Sequence, residues 1–272
     1  MTWLPGATAA EHKLYFGTDP NHLPLLATAK EAPFSELPTL ERDTTYFWRV
    51  AEVAADGSVT PGNLWSFRTG RLVGWWKLDE TTGTVAADAG GNHHAGTLVG
   101  NPTWARGAVG GALELDGQGD YVDLATGPDF DITGQITVAA WVKVNAFDVD
   151  WQAIVTKGDT AWRLSRDQGN TLHFACTGLW PEWVRGSVNV HDGQWRHVAG
   201  TYDGNELRLY VDGKLDVSAK TQGAINVNAY PVYIGENSEH SGRGWHGLID
   251  DVRLYSYALS DVEIKALCDA KP

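Results

Sequence analysis

The sequence predicts an all-β protein: a two-sheet antiparallel sandwich of the jelly-roll kind, preceded by a second, smaller β domain. Three observations carry this. Short runs rich in Val, Ile, Thr, Tyr, Phe and Trp recur along the whole of the 272 residues. Asp-Gly and Gly-Asn pairs separate many of them, drawn from 31 glycines, and such pairs favour tight turns. Only one stretch, near the carboxyl end, carries a helical pattern.

The elements follow in order. HKLYFGT (12–18), TTYFWRVAEV (44–53) and LWSFRT (64–69) are β-rich runs bounded by Pro, Gly and Asp, and they fill a first domain over 1–70. Thr69-Gly70-Arg71 is the joint, with no Pro- or Ser-rich linker, so the two domains are expected to hold a fairly fixed angle. The second domain, 71–272, opens with LVGWWKLDE (72–80) and continues through ALELDG (112–117), YVDL (121–124), ITVAAWVKV (136–144), QAIVTKG (152–158) and TLHFAC (171–176). RHVAGTYD (196–203), ELRLYVDG (206–213), PVYIGEN (231–237) and GLIDDVRLY (247–255) complete it. ALSDVEIKALC (258–268) is the expected helix, with Ser260 as N-cap and Glu263 completing a capping box.

Composition excludes some partners. A net charge of −13 with no Lys- or Arg-rich run argues against nucleic acid. No apolar stretch reaches the ~20 residues of a membrane helix. The amino terminus lacks the basic start and apolar run of a signal peptide. Cys176 and Cys268 are the two cysteines, and both a disulfide and two free thiols are open.

Residues 72–268 resemble the laminin-G-like branch of the concanavalin A-like lectin/glucanase superfamily. The resemblance runs through WWKLDETTGTVAADAGGNHHAGTLVG, GALELDGQGDYVDL, ITVAAWVKV, DGQWRHVAGTYDGNELRLYVDGKL and YIGENSEHSGRGWHGLIDDVRLYSYALSDVEIKAL. It implies two curved sheets packed face to face, adhesive or carbohydrate-binding function, and a structural calcium (Ca2+) in many members. Residues 1–69 resemble the later part of a fibronectin type III domain, with early strands missing and Trp3 where one of them would end. An open edge of that kind invites pairing, so the fragment is expected to pack on the larger domain. These resemblances imply a secreted or cell-surface, multidomain parent from which this chain is a part, its signal peptide lying elsewhere.

Four groups of residues are candidates for chemistry. The Gly-rich loop ADAGGNHHAGT (87–97) carries Asp88 and Asn92. Hard cations take several oxygens at once, and the resemblance brings this loop toward the strand bearing Asp250 and Asp251. Asp88, Asn92 and Asp250 are therefore the expected calcium ligands, the alternative being turn capping. His93, His94, His240 and His246 lack zinc-like spacing and read as solvated loop residues.

Catalysis is the third possibility. The Glu-x-Asp-x-Glu strand of laminarinase-type relatives is absent, because ELDGQ (114–118) ends in Gly and Gln. A glycoside hydrolase could still use carboxylates from different strands, with Glu182, Asp150 and Glu236 as first candidates and Asp148 and Glu239 beside them. The alternative is solvated surface.

The tryptophans are the fourth. Trp75, Trp76, Trp141 and Trp195 lie in core-like segments, as do Trp48 and Trp65 in the first domain. Trp151, Trp162, Trp180, Trp183 and Trp245 lie in or beside loops, where rings can stack on sugars or plug gaps over the core. In TGLWPEWVRG (177–186), Pro181 and Glu182 separate two of them at the tip of an expected hairpin. The reading is a lectin-like module that binds a polysaccharide or oligosaccharide through Trp151, Trp180, Trp183, Trp245 and Glu182, with a glycoside hydrolase as the rival.

Overall fold

The computed structural model describes residues 9–30, 37–41 and 44–270. The chain divides into two compact units, Met1–Arg71 and Leu72–Pro272. The first contains a five-stranded antiparallel sheet. Its order is Leu25–Ala29, Ala9–Gly17, Thr45–Ala54, Val59–Pro61, and Trp65–Arg68 also pairs with Thr45–Ala54. Paired residues share a face, so Leu14, Phe16, Tyr46 and Phe67 gather on one side, with the Phe16 and Tyr46 rings stacked at 5.0 Å. The core role expected for Trp48 and Trp65 needs correction. Trp65 is 47% exposed and Trp48 half-buried, their pair being the last of the ladder between Thr45–Ala54 and Trp65–Arg68. The strand end expected at Trp3 lies outside the described residues.

The second unit contains two eight-stranded antiparallel sheets. One runs Lys214–Lys220, Glu206–Val211, Arg196–Tyr202, Ile136–Ala146, His246–Tyr255, Gly111–Asp116, Thr103–Arg106, with Leu72–Trp76 also on His246–Tyr255. The other runs Trp183–Arg185, Leu172–Cys176, Trp162–Arg166, Ala153–Thr156, Tyr233–Ile234, Tyr121–Asp123, Gly96–Val99, Val85–Ala86. One apolar core lies between them, drawing Val138, Val142 and Leu209 from the first and Ile154, Leu164 and Phe174 from the second. The approach is close at Gly200, where a Cβ would stand 2.2 Å from the Phe174 ring. Glycine is there because another side chain would have to displace that ring.

The helix Asp261–Asp269 has the expected capping box: Glu263 N donates to Ser260 Oγ and Ser260 N to Glu263 Oε2. Its buried face, at Ile264, packs with Ala139, Ala199, Tyr210 and Tyr255 on the outer side of the first sheet. The two cysteines are not joined in a disulfide. Cys176 points into the core, and burial pushes its thiol well above the ordinary range. Among the described residues no helix is long and apolar enough to cross a membrane.

Candidate functional site

The strands that carry the site alternate strictly. Trp162, Leu164, Leu172, Phe174, Cys176 and Val184 enter the core. The intervening residues Arg163, Ser165 and Asp167, then His173, Trp183 and Arg185, must therefore face the other side of the same sheet. Register aligns them in rows: Ser165 pairs with His173 and His173 with Arg185, while Arg163 pairs with Ala175 and Ala175 with Trp183. The hairpin expected around TGLWPEW is present, closed by Cys176 N donating to Glu182 O at 2.7 Å.

Part of this outer row is closed to water. His173 is 2% exposed and Asp167 1%. Trp151, held at φ 67° in the left-handed region, lays its ring edge-on to His173 with centroids 5.3 Å apart. A cleft of about 120 Å³ results, lined by Trp151, Arg163, Asp167, His173, Glu182, Trp183 and Arg185. Larger hollows exist, including one of about 290 Å³ beside Trp48 and Trp65 in the first unit. That hollow has Glu52 as its one charged side chain, whereas the cleft collects five polar or charged groups between two tryptophans. Convergent polar groups between apolar walls are the mark of a ligand site.

Three of the cleft's four charged side chains, Arg163, Asp167 and Arg185, are partnered. Arg185 Nε donates to Asp167 Oδ2, and its guanidinium lies 5.6 Å from the Trp183 ring centroid. Arg163 donates to Asp159 O at 2.5 Å, and burial lowers its pKa against the pull of Asp159 and Glu182. His173 Nδ1 and Ser165 Oγ are 3.2 Å apart. Burial, reinforced by Arg163, takes the His173 pKa from 6.5 down to about 4, so the ring is neutral at pH 7. Its Nε2 is buried and has no hydrogen-bond partner.

Several expected site residues stand elsewhere. Trp245 is fully buried and packs edge-on against Phe147, so it is a core residue and not part of a rim. Trp162 is buried too, its Nε1 donating to Phe130 O. Trp180 is 86% exposed at the hairpin tip, outside the cleft lining. Conversely, Trp75 and Trp195 are only half-buried. Trp75 lies on the outer side of its sheet, with the Arg253 guanidinium 4.3 Å from its ring centroid.

The three carboxylates weighed as catalytic do not meet. Glu182 lines the cleft. Asp150 is paired with Arg166. Glu236 is 4% exposed and accepts the amides of Asn237, Gly242 and Arg243, which makes it a loop anchor. Glu239 likewise accepts Asp159 N and Thr160 N, and Asp148 pairs with His246. His94 pairs with Asp129 and His240 with Asp159.

The expected calcium ligands do not form one shell. Asp88 spends both oxygens on backbone amides, Trp75 N and Gly90 N on Oδ1 and Asn92 N and His94 N on Oδ2. These bonds outweigh burial and hold its carboxyl below the usual range. Asn92 donates its side-chain amide to Leu72 O. Trp76 stands between Asp88 on one side and Val252 of the Asp250 strand on the other. Two strand spacings, roughly 9–10 Å, therefore separate that strand from Asp88. Asp250 has its own surroundings: Val109 N donates to Oδ2, and Oδ1 is buried without a partner. Among the described residues no group of three or more His, Cys, Asp or Glu forms a metal-holding cluster.

Of the outer-face residues, Arg163, Ser165, Asp167, His173 and Arg185 were missed in the sequence, although a signal was there for most of them. In WRLSRDQGNTLHFAC the polar residues Arg163, Ser165, Asp167 and His173 fall at alternate positions of apolar strands.

No curated protein matches the chain in sequence. Domain 4 of AbnA, a GH43 extracellular arabinanase from Geobacillus stearothermophilus solved with arabinotriose, is similar in structure. Its TM-score is 0.59 at 22% identity, over 74% of this chain and 99% of that one. The binding domain of Paraclostridial Mosquitocidal Protein 1 matches at TM-score 0.60 and 15% identity, and that of botulinum neurotoxin DC, in complex with rat synaptotagmin II, at 0.52 and 14%. This chain spans 73% of its own length in both toxin matches but only about half of either toxin domain, 52% and 51%. A family model, Laminin_G_3 of the concanavalin A-like lectin/glucanases superfamily, matches residues 116–265. With more than half of its residues matched, and with two antiparallel sheets enclosing one core, this chain belongs to the Laminin_G_3 family of the concanavalin A-like superfamily.

Proposed function

We propose that the chain is a carbohydrate-binding module whose cleft between Trp151 and Trp183 holds a sugar. The observation that carries this is a pair of tryptophans flanking buried polar groups on the outside of a sheet. A pyranose or furanose offers C–H faces to such rings and hydroxyls to Arg, Asp, Glu and His. The arabinotriose complex of AbnA domain 4, a protein of the same fold, supports the reading. As part of it we place the chain in a secreted or cell-surface multidomain protein, and retain the fibronectin type III reading of 1–70.

Affinity gels carrying arabinan, xylan, mixed-linkage glucan and galactan test this. Trp183 is 46% exposed, so Trp183→Ala should weaken retention at least tenfold, about 1.4 kcal/mol. Its stability should stay within about 0.5 kcal/mol of the parent, as for a surface substitution. A parent retained by none of these polymers, or a variant retained as well as the parent, overturns the proposal. Release of reducing sugar by the parent would instead favour hydrolysis, with Glu182→Gln the first variant to make.

Calcium is a separate proposal, supported by the partnerless Oδ1 of Asp250. Burial first, and Asp251 and Asp79 after it, push its carboxyl up to about 7, and a cation would relieve that unfavourable charge. Binding to the folded state alone raises stability by mass action. EDTA should then lower the unfolding midpoint of the parent but not of Asp250→Asn. An unchanged parent midpoint, with no metal by elemental analysis, removes the ion.

A further inference from the structure

We propose that the cleft reads one uncharged sugar residue at a chain end, with the Nε2 of His173 at its floor bonding one hydroxyl. This rests on the carbohydrate reading above and gives it a specificity.

Size is the first argument. Clefts for drug-sized ligands run to ~300–1,000 Å³, and this one is about 120 Å³. It can admit a single ring and no more. Trp151 is half-buried against His173 and closes one side. Trp183 is half-exposed, and Trp180 projects beyond the lining. A chain can therefore leave the cleft along the hairpin tip, but it cannot run through.

Charge is the second. The lining holds two guanidinium groups, Arg163 and Arg185, and two carboxylates, Asp167 and Glu182. Arg185 is committed to Asp167, and Arg163 to the backbone and carboxylate of Asp159. A uronate would meet two carboxylates and no uncommitted cation. A neutral sugar meets dipoles, partnered charges and the Glu182 carboxylate, which its hydroxyls can complement as donors and acceptors.

The third is His173 itself. A buried polar atom without a partner is unfavourable, and Nε2 is one, on a residue that lines the cleft. With Nδ1 beside Ser165 Oγ, Nε2 is a donor or an acceptor according to the tautomer. A hydroxyl satisfies either. The alternation that exposes His173 to this face, while Leu172 and Phe174 enter the core, makes the floor rigid.

The experiment measures binding of arabinose, xylose, glucose and galactose, and of their linear oligosaccharides of two to five units, by calorimetry. Galacturonic and glucuronic acids serve as charged competitors. End recognition predicts that the monosaccharide of the retained polymer competes with it. Affinity should change by less than about threefold from one unit to five, with one protein bound per oligosaccharide and no competition by the uronic acids. Affinity that climbs tenfold or more with length while monosaccharides fail to compete overturns end recognition and leaves carbohydrate binding standing. Preference for a uronic acid overturns the uncharged class. Binding to nothing in the panel, with no polymer retained, overturns both readings.

For the floor, His173→Phe keeps a ring of similar volume and removes Nε2, so it should lose at least tenfold in affinity. Ser165→Ala keeps Nε2 and should lose less than threefold. Equal losses in the two, or none in His173→Phe, overturn the role of His173. Where His173→Phe unfolds, the chain-length series on the parent still decides the main proposal.

Discussion

Trp245→Ala is expected to destabilise the protein by about 3–5 kcal/mol, the range for emptying a buried aromatic site. Trp245 is fully buried, its ring meets Phe147 edge-on at 5.8 Å, and its amide donates to Gly235 O. The strand that follows, His246–Tyr255, pairs with three others, so the cavity would open beside the most heavily paired strand of the sheet. Trp180→Ala should stay within about 0.5 kcal/mol, because the side chain is 86% exposed. Urea unfolding of the two variants on one day separates them. A loss below about 1 kcal/mol at Trp245 would show that the ring is not packed as described. The contrast matters for function as well. A Trp245→Ala protein that still folds should keep its sugar affinity, whereas Trp183→Ala should lose affinity and keep its stability.

Stability should also fall steeply as the pH drops from about 6.5 to 4.5. Burial lowers both His173 and His197 from 6.5 to about 4. Arg163 adds to the effect at His173 while Asp167 opposes it; Arg253 and Asp212 play the same parts at His197. Between the two values the unfolded chain holds a proton that the folded chain does not. Stability therefore rises with pH across that window and is lost on acidification. Each imidazole is worth about 3 kcal/mol over the full interval. Asp250, raised by burial from 3.8 to about 7, works in the opposite direction over nearly the same range. Two imidazoles against one carboxyl leave one proton's slope, so in EDTA the parent should lose roughly 2–3 kcal/mol between pH 6.5 and 4.5. His173→Phe removes one imidazole, and its stability should be nearly flat over the same interval. An equal slope in parent and variant would mean that His173 is hydrated and titrates normally.

How far the sequence reaches can be judged from particular residues. Many of the strands, and the capping box at Ser260 and Glu263, were legible because they depend on nearest neighbours. Alternation sets which side chain turns to which face, and a Ser followed three residues later by Glu closes its own hydrogen bonds. The hairpin bearing Glu182 and Trp183 was legible for the same reason, since its strands are neighbours in sequence.

The site was legible only in part. Trp151, Trp183 and Glu182 line one cleft as the sequence suggested, but Trp180 and Trp245 do not. A tryptophan in a turn-rich stretch is equally compatible with a rim and a core, and which it becomes depends on strands far away in the chain. Gly235 and Phe147 decide it for Trp245, and Phe130 for Trp162. The calcium set failed for a similar reason. Asp88 and Asp250 are both acidic residues near strands that pair with Trp76 or its neighbours, but the width of one intervening strand keeps them apart.

By itself, then, the sequence determined the all-β class, many of the strands though not Trp162–Arg166 or Lys214–Lys220, the helix cap and the family, because short-range alternation and turn chemistry encode them. The tertiary structure alone decided that the Asp167, His173 and Arg185 side chains meet beneath Trp151. That meeting requires three strands to align in register and a loop from a fourth to fold over them, which follows from long-range pairing and packing and not from local pattern.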